Sequence, residues 1–280
     1  MTPAAPDGWD DERTARWVRQ ADDIERQLQP VSDALFAAAD LRRGESVLDV
    51  GCGTGPTTRQ AAALVGSTGR VTGVDVTTEM LAAAAARPRG PHDAPTSWLL
   101  ADPVDWEAPT PPHDVVLSRF GVMFFSDPRA AFENLAQATS AGGRLAIATW
   151  ARRGESEMFE VPYQAALAAL GRRDEIPQDQ GPFSLNGPDI IVPLLESSGW
   201  DDVDPLVHHL SLPYGGGVDA AAAATLSMGF GPTRILTQDL DEADRSTILA
   251  KITDALRSHE SDGAVLLDGT VWVTTARRAS

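Results

Sequence analysis

Over residues 1–40 the apolar positions recur at helical spacing, and beyond them the pattern changes to short β-type runs. Trp17, Ala21, Ile24 and Leu28 fall on one stripe of a helix expected over 10–29, with Asp and Arg filling the rest. Pro30 is expected to end that helix, and Val31, Leu35, Phe36 and Ala39 mark a second one from Val31 to Leu41. Strands then follow at 47–50, 70–75, 98–100, 114–118 and 144–150. Helices are expected between them at 57–65, 79–86 and 128–139. Short apolar strands alternating with helices predict a parallel sheet covered on both faces, over roughly residues 41–150. Beyond 151 the rhythm loosens. Helices are expected at 159–170, 188–198, 220–228 and 241–259, with strands at 203–214 and 270–275.

Composition narrows the field. The chain has 280 residues, 42% hydrophobic and 22% charged, with 40 acidic against 23 basic side chains and a formal charge of −17. So negative a surface repels phosphate backbones, so nucleic acid is not the expected substrate. Cys52 is the single cysteine, which excludes an intrachain disulfide, and no two histidines have the spacing of a metal site. No metal is expected. No apolar run approaches a membrane span, and the start MTPAAPDGWDDER is unlike a signal peptide. A cytoplasmic protein, monomer or homodimer, is the expectation.

The strongest chemical signal is Val47-Leu48-Asp49-Val50-Gly51-Cys52-Gly53-Thr54-Gly55. A strand opens into three alternating glycines and then a helix. Glycine tolerates positive φ and lets a ligand approach the backbone, while free N–H groups at the helix start suit electronegative atoms. The spacing G-x-G-x-G is one residue shorter than the dinucleotide fingerprint G-x-G-x-x-G, which weakens a nicotinamide or flavin reading. Asp75 ends the second strand, where a carboxylate can accept from both ribose hydroxyls, although Asp is also a common helix cap. Asp102 ends the third, placed for the exocyclic amine of an adenine or for a turn with Pro103.

These residues resemble the class I S-adenosylmethionine-dependent methyltransferases, and within them the broad ubiquinone/menaquinone-biosynthesis group. The matching segments are VLDVGCGTG (47–55), VTGVDVTTEML (71–81), ADPVDW (101–106), DVVLSRFGVMFFSDP (114–128) and AGGRLAIATW (141–150). The resemblance implies a Rossmann-like seven-stranded α/β sheet with an antiparallel last strand, helices on both faces, an N-terminal helical lid (1–40), a cofactor-binding core (41–150) and helical substrate-covering additions with the final strands (151–280), all in one continuous domain. It implies that the loop of Gly51, Cys52, Gly53 and Gly55 carries the methionine part of S-adenosylmethionine, braced by Asp49. Asp75 would hold the ribose, with Val76 and Met80 near the adenine. Asp102 would hold the adenine amine, with Pro103 and Val104 beside it. The Ser118 backbone would meet the amino group, and Arg119 and Phe120 would face the reacting centre. S-adenosylhomocysteine would be the product.

The acceptor is less legible. Methyl transfer to a small molecule at O, N or C needs alignment and water exclusion, and a general base only where the acceptor must lose a proton. Arg119 can pair with a substrate anion or with a neighbouring carboxylate. His208 is the other weak candidate, sharing a predicted strand face with Leu206, Leu210, Leu212 and Tyr214, which favours a core role. Trp17, with Ile24 and Leu28, is expected to close over the cofactor. Phe120, Met123, Phe124, Phe159, Tyr163, Met228 and Phe230 are candidates for an apolar acceptor pocket, Phe120, Tyr163 and Met228 ahead of the rest. Two other readings stay open: a non-methylating use of the cofactor, such as cyclisation or decarboxylation, and a non-enzymatic adenosyl-binding protein.

Overall fold

The structure is a computed structural model that describes residues 11–279. Helix α1 spans Asp11–Arg19 and α2 spans Ala21–Ala39. The break therefore falls at Gln20 and not at Pro30, which sits inside α2. A mid-helix proline loses one hydrogen bond and crowds the preceding turn. Here Leu28, Val31 and Leu35 bury one continuous stripe across it, which offsets that cost.

Strands β1 (Ser46–Val50), β2 (Arg70–Asp75), β3 (Thr96–Leu100), β4 (His113–Arg119) and β5 (Thr139–Trp150) pair in parallel. Helices α3 (Pro56–Val65), α4 (Thr78–Ala86) and α5 (Pro128–Gln137) lie between them in sequence. The chain continues through α6 (Glu157–Leu170), α7 (Pro188–Glu196), β6 (Trp200–Pro213), α8 (Ala220–Ser227), α9 (Gly231–Thr237), α10 (Glu242–Leu256), the two-residue β7 (Glu260–Ser261) and β8 (Ala264–Arg278). The strand order is β3-β2-β1-β4-β5-β8-β6, with β8 antiparallel to both its neighbours and β7 paired to its start. Neither α9 nor β7 is among the elements that periodicity predicts, and β8 is longer than the expected 270–275.

Two apolar layers cover the sheet. One contains Val31, Leu35, Val47, Val115 and Ile252; the other contains Leu48, Val116, Phe132, Ile147 and Trp200, whose indole donates to the Phe132 carbonyl at 3.1 Å. Strand β6 departs from expectation. It is the sheet's edge, so Leu206 is 60% exposed; the strand enters the core at its two ends, through Trp200 and Leu212, with Tyr214 buried just beyond it. His208 is thus half-buried on an edge strand and not a core histidine. Among the described residues no helix is long and apolar enough to cross a membrane.

Candidate active site

Parallel strands leave their carboxyl ends at one edge of the sheet, and open α/β folds bind ligands there. A cavity of about 800 Å³ occupies that edge, lined by Gly51 and Gly53 after β1, Asp75 to Thr77 after β2, Asp102 and Pro103 after β3, and Arg119 to Gly121 after β4. The three loop glycines serve different needs. Gly51 has φ +67, and a Cβ there would sit 2.6 Å from the Gly121 Cα. Gly53 also has positive φ, but nothing lies within 4 Å of where its Cβ would be, leaving a bare backbone on the cavity. Gly55 does not line the cavity. It caps α3 in the left-handed region, and a Cβ would collide with the Trp98 ring at 2.6 Å.

Two carboxylates hold this loop. Asp75 accepts from the Gly53 N–H and the Thr77 N–H, both at 2.9 Å, and burial raises its carboxyl above the usual range against those bonds. Asp49 is fully buried, and its Oδ2 accepts from Thr57 Oγ1 at 2.7 Å and Thr58 Oγ1 at 2.6 Å. Its Oδ1 has no partner among the described residues, and burial pushes the carboxyl up to about 6. A buried, unpaired carboxylate oxygen beneath a ligand-binding loop is a costly arrangement that a cationic ligand group relieves.

A second cavity, of about 1060 Å³, adjoins the first. Trp17, Phe120 and Phe124 line both. Phe120 holds φ +66, rare for a residue with a Cβ, and its ring stacks on Trp150 at 4.2 Å and 9°. Trp150 meets Phe159 edge-on at 5.1 Å. Residues of α1, α2, α6, α8 and α9 add to the wall.

A family model described as a methyltransferase domain matches residues 47–143. The chain is 26% identical over 259 residues to a nocamycin O-methyltransferase of Saccharothrix syringae, covering 89% of this chain and 91% of that protein. It is 29% identical over 158 residues to the aklanonic acid methyltransferase DauC of Streptomyces sp. (strain C5), covering 56% of this chain and 71% of that one. Residues 47–143 carry a methyltransferase domain, and the relatives support a class I S-adenosylmethionine-dependent methyltransferase. Among solved structures, the YcgJ protein of Bacillus subtilis shares the fold with a TM-score of 0.56 at 16% identity, covering 89% of this chain and 98% of that one. The matched model and these relatives speak for the broad class and not for the narrower quinone-biosynthesis group.

S-adenosylmethionine is the cofactor of this methyltransferase, and the cavity at the strand ends fits it. It offers a bare backbone at Gly53 and a carboxylate at Asp75, with the buried Asp49 behind the glycine turn and outside the lining. Val76, Met80, Asp102 and Pro103 also line that cavity. Val104 does not; its N–H donates to Asp102 Oδ1 at 3.0 Å. Cys52 faces the interior, 3% exposed, and burial pushes its thiol up. Ser118 is buried behind the cavity, its hydroxyl donating to the Val50 carbonyl at 2.7 Å. Arg119 reaches the cavity but is taken by Glu25 of α2, at 2.7 and 3.2 Å, and by Ser32.

Of the favoured acceptor residues, Trp17, Phe120 and Met123 line the second cavity, whereas Tyr163 and Met228 line neither. Tyr163 donates to Asp174 Oδ1 at 2.6 Å with Arg153 above its ring, inside a clasp that also includes Glu160. Met228 packs into the core. His208 lines neither cavity either. Gly121, Thr77, Trp150, Gln20 and Tyr214 are wall residues that the sequence reading passes over. The glycine after Phe120 is the one visible signal among them.

Proposed function

We propose that the protein transfers a methyl group to a small, ring-bearing apolar acceptor seated in the second cavity. The observation that carries this is the shared wall at Trp17, Phe120 and Phe124, which brings the cofactor and acceptor spaces into contact at the end of β4. In this reading Asp75 holds the ribose, Asp102 the adenine amine, and the Gly51–Gly53 turn with Asp49 Oδ1 the methionine end. Val76, Met80 and Pro103 pack beside the adenine. Residues 1–40 act as the lid, 41–150 as the cofactor core, and 151–280 supply the acceptor walls.

Bound there, S-adenosylmethionine supplies an electrophilic methyl carbon on a sulfonium whose departure leaves a neutral thioether. The chain's own contribution is alignment and dryness. Phe120 and Trp17 keep the acceptor against the cofactor side and exclude water. The Arg119–Glu25 pair, and Arg87 with Asp22 at 2.6 Å, hold α2 down over the site and leave Arg119 with a positioning role. An oxygen as the methylated atom is supported by the relative named as an O-methyltransferase.

The test is product analysis with methyl-labelled S-adenosylmethionine and a panel of hydroxylated aromatic compounds. Labelled acceptor formed in equal amount with S-adenosylhomocysteine supports the reading. Converted acceptor with the cofactor unchanged would replace it with a non-methylating use of the same site.

A further inference from the structure

The second cavity is not uniformly apolar, and its polar groups are unequally satisfied. Gln27 Oε1 accepts from the Gly215 N–H at 2.6 Å, and Asp23 pairs with Arg26. Gln20 and Tyr214 are less well satisfied. Gln20, at the break between α1 and α2, has its Oε1 buried with no hydrogen-bond partner among the described residues. The Tyr214 side chain is 6% exposed, and its hydroxyl makes no hydrogen bond within the described residues. Burial alone raises the Tyr214 pKa, so the phenol stays protonated and can donate.

A carbonyl that only accepts and a phenol that can donate, in a wall that also carries Trp17, Phe120, Trp150 and Phe159, define a ligand. A hydrocarbon filling this space would leave both groups without a partner. A ring system carrying a hydroxyl or N–H, with a further oxygen, satisfies both. The parallel stack of Phe120 on Trp150, closed by Phe159 edge-on, favours flat rings.

Building on the proposed acceptor role of this cavity, we infer that Gln20 and Tyr214 are its specificity-determining residues. Gln20 Oε1 accepts from a hydroxyl or N–H donor on a flat acceptor, and the Tyr214 hydroxyl donates to an oxygen on the same molecule. Neither is assigned a catalytic step.

The experiment is fluorescence titration of the full chain, saturated with S-adenosylhomocysteine, using three matched probes: naphthalene, 2-naphthol and 2-acetylnaphthalene. The wild type is expected to bind each oxygenated probe about five- to tenfold more tightly than naphthalene. Gln20→Met should erase the advantage of 2-naphthol, and Tyr214→Phe that of 2-acetylnaphthalene. Both variants should leave naphthalene and S-adenosylhomocysteine binding unchanged. If one variant fails to fold, the other and the wild-type preference still decide. Equal binding of the three probes, no binding of any, or preferences that survive both substitutions would overturn the inference. Loss of S-adenosylhomocysteine binding alone, with probe selectivity intact, would instead count against the proposed methyl transfer.

Discussion

The two cavities share Trp17, Phe120 and Phe124, yet they are held open by different means. The cofactor cavity is built from backbone. Its turns follow strands β1, β2, β3 and β4, its glycines adopt conformations other residues resist, and buried carboxylates tie the turns together. The proposed acceptor cavity is built from side chains on α1, α2, α6, α8 and α9, on Trp150 of β5 and on the loops between elements. A side-chain-built site is remodelled by substitution without disturbing the sheet. In the proposed reading the fold keeps cofactor recognition and acceptor choice on separable parts of the chain, in contact at Trp17 and at the turn after β4.

The largest effect that would sharpen this contrast comes from the glycine loop. Gly51→Ala combines a left-handed backbone with a collision against Gly121, and should cost about 2–5 kcal/mol of stability by urea unfolding. Gly53→Ala meets no atom, so it should cost only ~1–2 kcal/mol while weakening S-adenosylhomocysteine binding through its Cβ. Equal destabilisation by the two would break the account of the loop.

Next in size is a pH effect from Asp49. Its folded pKa, about 6, lies above the ordinary 3.8, so the folded protein binds the extra proton between those values. Its contribution to stability is therefore fully present below about 4 and is lost as pH rises through about 6. Relative to Asp49→Asn, the cofactor-free wild type should lose roughly 3 kcal/mol across that window and nothing further above it. Arg119 and Asp75, the charged neighbours acting on Asp49, are present in both proteins. A flat difference curve from urea unfolding at stepped pH would contradict the buried, unpaired oxygen.

The smallest effect tests the second region's boundary. Tyr163→Phe removes the hydrogen bond to Asp174 from a residue that lines neither cavity. It should cost about 1 kcal/mol of stability and leave S-adenosylhomocysteine and naphthol binding unchanged. A change in probe affinity would mean that the 151–190 clasp shapes the acceptor site directly.

The same contrast explains what the sequence makes legible. Asp49, Gly51, Gly53 and Asp75 are readable because strand, turn and helix start are local, and the chain spells them consecutively. The particular reasons for Gly51 and Gly55 are not local: one faces Gly121 and the other Trp98, which only the folded sheet brings near. Periodicity identifies Tyr163 and Met228 as buried but does not say against what, so a clasp and a core resemble a pocket wall. Pro30 misleads because the buried stripe through Leu28, Val31 and Leu35 outweighs a local helix-breaking signal. Gln20, Trp150 and Tyr214 meet from distant parts of the chain, and no pattern in sequence joins them.

Calorimetric titration of S-adenosylhomocysteine into the wild type and Asp75→Ala tests the central claim most directly. Micromolar binding to the wild type, weakened more than about tenfold by the substitution, is the predicted result. No heat with folded wild-type protein, or equal affinity for both proteins, would contradict the assignment of the strand-end cavity and of Asp75 within it.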